Sequence, residues 1–126
     1  MITFFFITLA GFFNAIMDTL KSPTYYDRSI FPKSGWWSEF LDHRKSWTRK
    51  WKPGTREERF PGSSTVFVFL TDGWHLAQAL MIACFLIGVI CYEGVFGRLW
   101  DFVIMFGMFN VVFEIFFSKF LVTIKF

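Results

Sequence analysis

Residues 66–92 read VFVFLTDGWHLAQALMIACFLIGVICY. From Leu76 to Tyr92 no residue is charged, and apolar side chains occur on every face of a helical projection. A helix apolar all round is buried in a large protein or in lipid. Crossing a hydrocarbon layer of ~30 Å takes ~20 mainly apolar residues. A span over 67–92 exceeds that length, so its first turns are expected to project from the bilayer or lie on the neighbouring loop. Ser63, Ser64 and Thr65 stand as candidate caps, and Gly73 as a bend. Cys84 and Cys91 are seven residues apart, about 10 Å at ~1.5 Å per residue. That is too far for a disulfide, so both read as inert thiols.

A short connection, Glu93–Arg98, leads to a third apolar stretch, LWDFVIMFGMFNVVFEIFF at 99–117. Towards the other terminus, residues 2–20 read ITFFFITLAGFFNAIMDTL. No basic residue precedes this run and no small-x-small cleavage site follows it, so it is expected to be a retained helix rather than a signal peptide. The expected architecture is an all-α membrane protein with three transmembrane helices in one domain, 1–126. Composition agrees: 54% of the 126 residues are hydrophobic, only 18% are charged, and twenty are Phe. A soluble domain of this size needs a polar exterior that such a chain cannot supply.

The charge that exists is gathered between the first two spans. Ten of the thirteen Lys and Arg lie from Lys21 to Arg59, against five acids, a net charge of +5. This pattern excludes a nucleic-acid binder and marks a solvated loop, 21–64, expected on the cytoplasmic side of a bacterial inner membrane. The N-terminus then faces outward. The C-terminus faces inward, beside Lys119 and Lys125. Pro23, Pro32, Pro53 and Pro61 punctuate the loop. Within it, 35–51 has the spacing of a short amphipathic helix, with Trp36, Phe40, Trp47 and Trp51 on one face. Trp36, Trp37, Trp47 and Trp51 beside Lys and Arg suit the membrane–water interface.

On this topology, polar residues of all three spans fall near the loop end. They are Asn14 and Asp18, then Asp72, His75 and Gln78, then Asn110 and Glu114. Spacings of three and four put each set on one helix face. Carboxylates in hydrocarbon are costly and turn towards a bundle interior, a partner or water. These seven residues are expected to converge. Asp18, Asp72, His75 and Glu114 carry the ligand types for a divalent metal, and the same groups suit a proton relay. The competing expectation is plain interhelical hydrogen bonding by Asn14, Gln78 and Asn110. No motif of a hydrolase, a phosphate loop or a paired-cysteine metal site occurs. Gly11, Gly88, Gly94, Gly97 and Gly107 mark points where helices could approach closely.

The strings GFFNAIMDTL at Gly11–Leu20, Trp36–Trp37, Ser46–Trp47 and SSTVFVFLTDGWH at Ser63–His75 resemble a family of small uncharacterised bacterial and phage integral membrane proteins. That family carries Asn-x-x-x-Asp, Trp-Trp, Ser-Trp and Thr-Asp-x-Trp-His elements in this order. The resemblance implies no activity. It covers roughly the first two-thirds of the chain and leaves Glu114 outside it. Together these readings predict a non-enzymatic membrane protein, a homo-oligomer or an accessory subunit of a membrane complex, with the bilayer as its first partner. The alternative is the metal or proton site.

Overall fold

The computed structural model describes residues 1–121, apart from the side chains of His43 and Phe120. Lys125, expected on the inner side, lies outside the described residues. Helix α1 runs from Ile2 to Lys21. It stops where Ser22 turns extended (φ −117°, ψ 132°) ahead of Pro23, because a residue preceding proline is pushed out of the helical region. Lys21 in the last turn complements the helix dipole. Pro23 then opens the short α2, Pro23–Asp27, where its missing N–H costs nothing.

The loop holds two further short helices, α3 (Trp36–Leu41) and α4 (His43–Ser46), and a 3₁₀ turn over Trp47–Lys50. The single amphipathic helix expected over 35–51 is therefore divided. The break is Asp42, whose ψ of 112° takes the chain out of the helical region. Its side chain accepts from the Arg44 amide at 3.0 Å and starts a new turn. The Arg44 guanidinium adds bonds to Asp42 and reaches Asp27 at 2.7 Å. Burial works to raise the Asp42 carboxyl, but its bonds to Arg44 outweigh that and hold it below the ordinary range. Beside this network, Tyr26 is buried and donates its hydroxyl to the Pro32 carbonyl. Burial, with the Asp42 charge second, lifts its phenol above the ordinary value.

Helix α5 covers Gly73–Ile90, and α6 covers Arg98–Ile115. The second span thus begins six residues later than expected. Asp72 is the reason: extended at φ −149° and ψ 156°, it caps the helix through the His75 amide. Residues 66–71 form turns and a 3₁₀ segment on the loop instead. Gly73 is then no bend. It is the first helical residue, where a Cβ would meet Leu41 Cδ2 at 2.6 Å and Leu20 Cδ1 at 3.1 Å. Past Ile115 the third helix widens into a π-helical turn, Phe116–Leu121.

The chain is all-helical among the described residues, and α1, α5 and the extended α6 are each long and apolar enough to cross a membrane. Helix α1 is the central element. Of its apolar window 39% is buried, against 22% for α5 and 6% for α6. It runs antiparallel to α5: Thr3 donates to the Gly88 carbonyl at 2.9 Å at one end, and Leu20 meets Gly73 at the other. Its other side takes α6, with Gly11 on Phe109 and the Phe12 ring edge-on to Phe116 at 4.8 Å. At the loop end Ala15 and Leu121 form a small core, joined by Phe31 from the loop and by Phe113. Of the five glycines expected at close approaches, Gly11 and Gly88 sit at helix contacts. Gly107 faces open space, and Gly94 and Gly97 belong to the turn before α6.

Candidate functional site

The polar residues expected in one cluster are dispersed. Depth along a span can be read from residue order, but the rotation of each helix about its axis cannot, and here rotation decides. Helices α5 and α6 touch each other through the rings of Phe85 and Phe109, 5.7 Å apart, and not through their polar faces.

On α6, residues 107, 110 and 114 share the face opposite Phe109 and Phe116. Asn110 and Glu114 are exposed on it, and Gly107 has nothing within 4 Å of its Cβ position. Asn110 donates back to the Phe106 carbonyl at 2.7 Å, and Glu114 accepts from Ser118 at 2.7 Å. Both are bonds within the same helical segment. Asp18, at the end of α1, faces a separate hollow shared with Lys21, Tyr25 and Phe117. Asn14 and Gln78 are half-buried on their helices. Among the described residues no three His, Cys, Asp or Glu side chains stand close enough to share a metal ion. The expected set of Asp18, Asp72, His75 and Glu114 is therefore not gathered.

Asp72 and His75 do meet. Asp72 is buried and uses both carboxylate oxygens: Oδ1 accepts the His75 amide at 2.8 Å, and Oδ2 lies 2.6 Å from Nδ1 of the same residue. A carboxylate only accepts, so the hydrogen of that bond sits on Nδ1 and the remaining chemistry of the ring is at Nε2. Trp74 packs edge-on against the imidazole, with ring centroids 4.9 Å apart. The Lys50 ammonium stands 4.0 Å from Asp72 Oδ2.

Around this pair is a pocket of about 240 Å³ at the junction of α1, α5 and the loop. Lys21 and Leu20 close it from α1, while Ser46, Trp47 and Lys50 close it from the loop. Two sequence strings some 25 residues apart, Ser46–Trp47 and Asp72–His75, thus come together. Lys21 and Lys50 do not stand out in the sequence, where they are two basic residues among ten.

The tryptophans divide as well. Trp36, Trp37 and Trp47 are more than half exposed, whereas Trp51 is half-buried and bridges to Glu58. Trp36 stacks on Phe40 at 5.6 Å and carries the Arg49 guanidinium on its ring at 5.0 Å.

A further buried carboxylate lies at the opposite end of the bundle. Asp101, in the first turn of α6, is fully buried. It accepts from Tyr92 Oη at 2.7 Å and from the amides of Val95 and Phe96 at 3.1 and 3.0 Å. It ties the α5–α6 turn to the helix beyond it. Hydrogen bonding to Asp101 lifts the Tyr92 phenol above its ordinary value. No family model, curated protein or solved structure matches this chain.

Proposed function

We propose that the protein is a non-enzymatic membrane component that works as a homo-oligomer, with the outward face of α6 as the contact between copies. One observation carries this reading. The α6 window is only 6% buried within the chain, yet the face turned away from α1 holds Asn110 and Glu114. A lipid-facing Asn and Glu are expensive. Against a second α6, an Asn110 amide can donate to one partner and accept from another, and Gly107 leaves room for close approach. A two-fold contact of this kind needs no other protein. The +5 charge of the Lys21–Arg59 segment supports a bacterial cytoplasmic membrane with the loop inside and the N-terminus outside.

The test is disulfide crosslinking in native membranes of Asn110→Cys, made in a chain whose Cys84 and Cys91 are replaced by Ser. Rapid formation of a covalent dimer at position 110, but not at the α1-facing position 109, supports the reading. Exclusively monomeric chains, or crosslinks solely to a different protein, overturn it.

A further inference from the structure

The pocket around His75 has the chemistry of an anion site placed at a membrane surface. Its position comes first. α1 ends at Lys21 and α5 begins after Asp72, so the pocket lies where two spans leave the apolar layer. Trp47 and Trp74 line it, and tryptophan favours that depth.

Charge comes second. Most loop cations near the bundle are already engaged. Arg44 is held by Asp27 and Asp42, Arg49 by Glu39 and the Trp36 ring, Lys45 by Ser38 and Lys52 by Glu57. Of the two lysines on the pocket, Lys50 pairs with Asp72 at 4.0 Å, and Lys21 has no carboxylate within ion-pair distance among the described residues. The one acid on the pocket, Asp72, bonds His75 through both oxygens and also pairs with Lys50. Two lysines against one carboxylate leave the pocket with a net positive charge to face an incoming group.

Size comes third. The pocket of about 240 Å³ is open to the surface on one side. It accommodates a phosphate and its nearest carbons. Longer chains must run outside it, and the apolar flank of α5 starts at its edge, at Leu76.

We propose that this pocket seats the phosphate of an anionic phospholipid headgroup. Lys21 and Lys50 supply the charge and the hydrogen-bond donors, and Trp47 and Trp74 flank the glycerol. Basic pockets beside transmembrane helices recognise lipid headgroups in this way.

The experiment is native mass spectrometry of the full chain in mild detergent, titrated separately with phosphatidylglycerol and phosphatidylcholine. Wild type is expected to retain phosphatidylglycerol in preference to phosphatidylcholine. Lys21→Gln with Lys50→Gln should weaken that preference about thirtyfold, from roughly fivefold per lysine. Lys52→Gln, on the loop away from the pocket, should leave it unchanged. The Lys21→Arg, Lys50→Arg pair keeps the charge, should bind as wild type, and separates lost binding from lost folding. Equal retention of both lipids overturns the proposal, and so does an equal loss in Lys52→Gln, which would mean diffuse surface charge. Inorganic phosphate alone stabilising the protein as strongly as phosphatidylglycerol would assign the pocket to a free phosphate and also overturn it.

Discussion

Gly11 of α1 lies directly on the backbone of Phe109 in α6: a Cβ at position 11 would stand 2.6 Å from the Phe109 carbonyl oxygen. The obstacle is main chain, so no rotamer change relieves it. Gly11→Ala is expected to push the two helices apart and cost about 1–3 kcal/mol, the usual range for overpacking. Gly107→Ala clashes with nothing in its own chain and, with the chain held monomeric in detergent, should be as stable as wild type or slightly more so, because alanine favours a helix. Thermal unfolding in detergent distinguishes them, and equal melting temperatures would refute the close contact.

Thr3 holds the other side of α1. Its hydroxyl donates to the Gly88 carbonyl on α5, and the residue is buried. Thr3→Val keeps the shape and removes the bond, so it should cost about 1 kcal/mol, as interhelical hydrogen bonds in membranes do. Among the described residues Thr8 bonds to Phe4 within its own helix, and Thr8→Val should be close to neutral. Chemical denaturation in mixed micelles measures the difference.

These two contacts mark the boundary of what residue order displays. Spans are legible because hydrocarbon demands length and apolarity, and both can be counted along 2–20 and 99–117. Gly11 is legible as a candidate for close approach, though residue order alone does not separate it from Gly107, which faces open space. Thr3 is not, since a threonine at a helix end can bond its own turn equally well. The start of α5 is misplaced by hydropathy because Val66–Leu70 is as apolar as the helix itself, and only the cap at Asp72 ends the loop. The polar cluster rests on depth alone. Depth correctly joins Asp72 with His75 because a separation of three residues at one helix start fixes its own geometry. It cannot join Glu114 to them, because that requires the rotation of α6 about α1. Asp101 escapes notice because it sits at a span end, where a carboxylate looks solvated, and its partners are backbone amides that no residue pattern reveals.

Asp101 is therefore a direct test of the turn between α5 and α6. Asp101→Ala removes the acceptor for two backbone amides and the Tyr92 hydroxyl at once. Residues 93–97 are expected to exchange amide hydrogen faster and to become a site of proteolytic nicking. Asp101→Asn, which keeps one acceptor oxygen, should fall between. Unchanged exchange at Val95 and Phe96 in the alanine variant would show that the turn holds without the carboxylate.

The loop should carry its own acid response, set by Asp42. Its carboxyl is held below the ordinary value of 3.8 in the folded chain. A depressed folded value means the unfolded chain takes up the proton more readily, so this contribution is complete well above pH 3.8 and is lost as pH falls below it. Protonation would release Arg44 and the cap of α4, and with them the packing beneath Tyr26. Tryptophan emission from the loop should change cooperatively on acidification below that value, while helicity of the three spans persists. Asp42→Asn should remove the Asp42 share of this transition, leaving that of Glu58, which Ser64 and Gly62 also hold below its ordinary value. It should also weaken the loop already at neutral pH, because the amide cannot hold the guanidinium as a carboxylate does. An acid transition of the same midpoint and amplitude in Asp42→Asn would assign it to another group and remove Asp42 from the account.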